Sequence, residues 1–106
     1  WGELMQAYFA SRQSLAGLFI VVDVRRGIAD FDRQMLELAG SQSIPVHILL
    51  TKADKLKRGQ AAKALLEARR ALDSHATVQL FSAPKRQGVD EARRQLDAFL
   101  SGSDDG

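Results

Sequence analysis

The tetrapeptide Thr51-Lys52-Ala53-Asp54 directly follows an apolar run and ends in a carboxylate kept close to that run. A carboxylate fixed just past a strand end can accept two parallel hydrogen bonds from a planar N–H pair, such as the N1–H and amino group of guanine. Adenine has no such pair, so the same charge facing it would be left unpaired at a cost. Lys52 can lay its methylene stem along a base, and the Thr51 hydroxyl can tie neighbouring loops. Short polar turns after strands are common, so this stretch does not decide alone. A second stretch, Phe81-Ser82-Ala83 with Lys85 two residues on, raises the odds. Small residues there let backbone N–H groups approach a base oxygen, and Lys85 can cover the other face of the ring. Pro84 stiffens that turn, and Gly88 permits a tight entry to the next element. Two such loops in succession make a guanine pocket.

Positioning these loops requires strands that end where the loops begin. The run Leu15–Val24 is rich in Val and Ile, and at that length reads as a doubly buried strand. Pro45–Thr51 and Thr77–Ser82 read as a second and a third, the last nearer an edge because its apolar residues partly alternate. Helical spacing fills the gaps. Phe31, Met35, Leu38 and Ala39 form one face, with Asp30 placed to cap and Gly40 to stop. Ala61, Leu65, Ala68 and Leu72 form another, and Val89, Ala92, Leu96, Phe99 and Leu100 a third. The opening segment, with Leu4, Met5, Tyr8 and Phe9, reads as a helix feeding the first strand, and Trp1 is expected to pack with it. The order αβαβαβα predicts three parallel strands with flanking helices, over residues 1–100, and a flexible polar tail at 101–106.

In such sheets ligands bind at the carboxyl ends of the strands. Eight basic residues gather there: Arg25, Arg26, Lys52, Lys55, Lys57, Arg58, Lys85 and Arg86, against Asp23 and Asp54 alone. The net charge of +2 conceals this, because 15 Lys and Arg nearly balance 13 Asp and Glu overall. A positive edge suits a phosphate-bearing ligand or RNA, and equally the ordinary solubility of loop tips. A non-enzymatic α/β module whose basic loops bind RNA or protein is therefore the competing reading.

Other classes are excluded by composition. With 45% hydrophobic residues, 26% charged and two prolines in 106 residues, the chain is neither disordered nor fibrous. Without cysteine there is no thiol catalysis and no cysteine-held zinc. No apolar run reaches the ~20 residues of a membrane helix. His47 reads as a sheet-surface imidazole and His75 as a helix-end one, so neither a metal site nor a catalytic set is expected. The chain starts at Trp1 without a signal pattern, and its three strands suggest half of a wider sheet. It is read as a piece of something longer.

Thr51-Lys52-Ala53-Asp54 resembles the fourth guanine-nucleotide motif of P-loop GTPases, and Phe81-Ser82-Ala83 the fifth. Arg12-Gln13-Ser14-Leu15, Val22-Asp23-Val24-Arg25, Asp32-Arg33-Gln34-Met35, Leu49–Leu56 and Lys85-Arg86-Gln87-Gly88-Val89 sharpen the resemblance to the C-terminal half of EngB-type GTPases. The resemblance implies half of a Rossmann-like three-layer P-loop GTPase fold. It also implies GTP or GDP as ligand, with Thr51, Lys52, Ala53, Asp54, Phe81, Ser82 and Ala83 at the nucleotide. Asp54 would select guanine, and Lys52 would pack on the base and brace the phosphate loop. It further implies a cytoplasmic protein assisting large ribosomal subunit assembly, with a link to cell division and septation, and magnesium held by the full-length protein. No G-x-x-x-x-G-K-[ST] occurs in the sequence, so the chain alone is expected to have no GTP turnover. A fragment of another P-loop GTPase is the nearest alternative. The strand at 15–24 would lack its usual neighbour, and its bare edge is expected to favour a homodimer.

Overall fold

The computed structural model describes residues 16–72 and 76–103. Three strands, β1 (Leu18–Asp23), β2 (Val46–Thr51) and β3 (Ala76–Leu80), alternate with helices α1 (Asp30–Ser41), α2 (Arg58–Arg70) and α3 (Val89–Ser103). All strand pairs are parallel, in the order β1-β2-β3. The register sets Leu18 beside Val46 and Val46 beside Ala76, so all three strands end at the same edge. This is the α/β arrangement that the alternation of patterns predicts. β1 is shorter than the run 15–24: Val24 is already in the connecting turn, and Leu15 lies outside the described residues. The expected opening helix, with Trp1, Tyr8 and Phe9, lies outside them too, as does His75.

Strand alternation sorts the side chains onto two faces. Ile20, Val22, Ile48, Leu50 and Val78 form a dry core with Met35, Leu36 and Ala39 of α1 and Ala68 of α2. Val22 and Ile48 are fully buried there, each worth roughly 1.5–3 kcal/mol of removed apolar surface. On the opposite face Phe19 meets Phe99 of α3 edge-to-face, ring centroids 5.6 Å apart. Phe99 also lies against the chain at Gly17, where a Cβ would come within 2.3 Å of its ring. A residue without a side chain is needed for that approach. The result is a three-layer sandwich, with α1 and α2 on one side and α3 on the other.

Two helix details differ from the sequence expectation. Asp30 does not cap α1. Ala29 is the first flanking residue, and its N–H donates to the Asp32 carboxylate at 2.8 Å. Asp32 is buried and also holds the Arg26 guanidinium at 3.1 Å. The buried stripe is therefore Asp32, Met35, Leu36 and Ala39, turned away from Phe31, which is 40% exposed. Gly40 sits inside the helix, and the reversal is made by Ser43 with φ of 57°. At the other end of the chain α3 runs to Ser103, three residues into the segment expected as a tail. On α3, Phe99 is buried while Leu96 and Leu100 are exposed.

Candidate functional site

The carboxyl ends of β1, β2 and β3 open into loops that enclose a cavity of about 370 Å³. It is lined by Arg25 from the first loop, Thr51, Lys52, Asp54 and Lys55 from the second, and Phe81, Ala83 and Pro84 from the third. Five of the seven residues expected at a nucleotide thus face one space: Thr51, Lys52, Asp54, Phe81 and Ala83. Ala53 and Ser82 stand behind it, both buried.

Backbone bonds lock the second and third loops together. The Phe81 N–H donates to the Leu50 carbonyl at 2.9 Å, and the Ala53 N–H donates to the Phe81 carbonyl at 3.1 Å. The Thr51 hydroxyl donates to the Val22 carbonyl at 3.2 Å, tying β2 to β1. Lys52 then takes a left-handed backbone, φ 59° and ψ 33°, before a single 3-10 turn over Ala53–Lys55. That conformation costs a non-glycine residue about 1 kcal/mol or more and is typical of binding loops. It makes the reversal that brings Asp54 back to the cavity.

Asp54 is held from behind. The Ser82 hydroxyl donates to its Oδ1 at 2.7 Å, and this bond is the main reason its carboxyl titrates below the ordinary value, with Lys55 and Lys85 adding to the effect. The group stays charged at neutral pH. Ser82 in turn closes its own loop: its N–H donates to the Gln87 carbonyl at 3.1 Å, and the Gln87 N–H donates back at 2.9 Å. Lys85 does not line the cavity, contrary to its expected place over the ring. Its backbone N–H lies 3.4 Å from the Ser82 hydroxyl, and Pro84 occupies that wall instead.

Arg25 is the residue that sequence reasoning left without a role. The Asp23 carboxylate accepts its backbone N–H at 2.8 Å, Nε at 3.1 Å and Nη2 at 2.8 Å. This grip holds the Asp23 carboxyl well below the usual carboxylate range and raises the Arg25 guanidinium further. The Lys52 ammonium lies 3.9 Å from the same carboxylate, so Asp23 gathers two cations at the cavity rim. The signal was the i, i+2 spacing of Asp23 and Arg25 at a strand exit. The strand-end edge is also less positive than a count of its loops implies, because Asp32 neutralises Arg26 from within α1. Among the described residues there is no cluster of three or more His, Cys, Asp or Glu able to hold a metal ion.

Comparison with known proteins adds an independent line. A probable GTP-binding protein EngB from Stenotrophomonas maltophilia (strain K279a) is 43% identical over 104 residues, an alignment covering 94% of the chain and 52% of that protein. The chain therefore spans about half the length of the curated relative it matches. No protein-family model matches it. Among solved structures, the translation elongation factor SelB from Methanococcus maripaludis, in complex with the GTP analogue GppNHp, superposes with a TM-score of 0.78 at 19% identity. It covers 95% of the chain and 24% of SelB. The apo form gives the same score, at 21% identity. A bacterial selenocysteine-specific elongation factor EF-Sec gives 0.68 at 24% identity, over 92% of the chain and 18% of its own length. At these identities the structural likeness carries the fold alone.

Proposed function

Since the chain is of the EngB type in sequence and has half of a P-loop GTPase fold, we propose that it supplies the guanine-recognition half of a GTP-binding protein. The observation that carries this reading is the Asp54 carboxylate, which lines the cavity while Ser82 fixes its far side. A carboxylate has about four lone-pair sites. Ser82 takes one, and those left suffice for the N1–H and amino group of one guanine. The stems of Lys52 and Arg25, with Phe81 and Pro84, supply walls for a planar ring.

The phosphates and magnesium belong elsewhere in this reading. The sequence has no phosphate-loop motif, and the acidic residues described here do not cluster as a cation would need. Among the described residues no donor set fits magnesium, and no step is assigned to it. The isolated chain binds nucleotide weakly and does not turn it over, while hydrolysis is an activity of the longer protein. The proposal extends, on family resemblance, to a cytoplasmic role in large ribosomal subunit assembly, with that subunit or its rRNA as partner, and to a link with cell division. β1 pairs only with β2 among the described residues, which supports a homodimer across its outer edge where nothing else covers it.

Titration of the full-length protein with GDP and with ADP tests the reading. GDP should bind about a hundredfold more tightly or better. Equal affinities would sink it. Co-sedimentation with purified large ribosomal subunits checks the partner separately.

A further inference from the structure

Beneath α3, on the sheet face away from the dry core, polar side chains form a continuous line toward the third loop. His47 and Gln79 are 2% and 1% exposed. The His47 ring spans two positions of the neighbouring strand: Nδ1 lies 2.6 Å from Thr77 Oγ1, and Nε2 lies 2.7 Å from Gln79 Oε1. The Gln79 amide nitrogen donates to the Gly88 carbonyl at 2.8 Å and to the Leu80 carbonyl at 3.1 Å. Those two carbonyls use both N–H groups of the amide, so only its oxygen is left to face His47. Nε2 therefore carries the ring proton. Nδ1 faces the Thr77 hydroxyl, whose one proton can go to this nitrogen or to the Val46 carbonyl, 3.4 Å away. The opposite amide orientation would set an oxygen against two carbonyls and is excluded by the same count.

We propose that Gln79, held in place by His47, is a positioning residue for the base-recognition loop. Leu80 and Gly88 flank the segment 81–87, which carries Phe81, Ser82 and Ala83. One amide gripping both carbonyls staples the entrance of that loop to its exit. The staple sets the Ser82–Gln87 pairing, and through it the Ser82 hydroxyl that aligns Asp54. Gly88 makes the grip possible. With φ of 79°, a Cβ there would sit 2.5 Å from the Gln79 amide nitrogen and 2.4 Å from the Leu80 carbonyl oxygen. A buried imidazole and amide stabilise a core less readily than apolar residues of similar size. Their return is geometry at the loop. The inference rests on the guanine reading of Asp54 and names what holds that carboxylate in line.

The test uses the full-length protein, wild type and Gln79→Glu, with GDP and ADP titrations and amide hydrogen exchange. Glu conserves volume and the acceptor toward His47, but sets a carboxylate oxygen against the Leu80 and Gly88 carbonyls. GDP affinity should fall about tenfold with ADP affinity unchanged. Exchange at Ser82 and Gln87 should quicken while Ile48 and Leu50 stay protected. Unaltered GDP affinity and unaltered exchange at Ser82 and Gln87 would overturn the proposal. Ring nitrogen shifts of His47 in the wild type give a second arm that needs no variant. A proton on Nε2 supports the staple, and a ring whose Nε2 is bare refutes it. Should wild type show no preference for GDP over ADP, the guanine reading fails, while exchange and tautomer still judge the staple on their own.

Discussion

The two faces of the sheet are built on opposite plans. Against α1 and α2, every inward residue of β1 and β2 is apolar and closely packed. Against α3, the same strands present Phe19, His47 and, across on β3, Thr77 and Gln79, while Val21 is 63% exposed. The dry face holds the strands together and so fixes where they end. The mixed face uses hydrogen bonds, which have direction, and the direction they give is toward the loop bearing Ser82. Stability and site geometry are thus carried by different sides of one three-stranded sheet.

That division can be broken by single substitutions. On the dry face, Ile48→Ala should destabilise the chain by about 2–5 kcal/mol, since the cavity it leaves is enclosed on all sides. Chemical denaturation followed by circular dichroism checks the value. On the other face, Val21→Ala should cost less than about 1 kcal/mol, because little of that side chain is removed from water. Equal losses at Ile48 and Val21 would mean that the second face is as tightly packed as the first.

The strands and the alternation of elements were legible because the β-branched runs are bounded by polar turns, and the helical stripes differ in period from them. The loops that carry Thr51–Asp54 and Phe81–Ala83 were legible for the same reason: a strand end fixes where a loop begins. What stayed hidden were polar residues doing core work. Asp32 takes the Ala29 N–H and the Arg26 guanidinium and lies on the buried stripe of α1, while Phe31, expected on that stripe, is exposed. His47 reads as a surface imidazole because nothing local announces that β3 will place Thr77 and Gln79 on either side of its ring. Arg25 was visible as charge, but its clamp on Asp23 depends on the turn that follows β1. The His47 partners are 30 and 32 residues away and only the fold brings them near. The partners of Asp32 and Arg25 are close in sequence and depend on the local course of the backbone.

The central claim is that Asp54 reads guanine through its two hydrogen-bond donors. Asp54→Asn in the full-length protein tests it most directly, because an amide donates where a carboxylate accepts. Xanthine carries an oxygen where guanine has its amino group. The account predicts that GDP affinity falls about a hundredfold or more while xanthosine diphosphate becomes the preferred ligand. An Asp54→Asn protein that still prefers GDP over xanthosine diphosphate would contradict it.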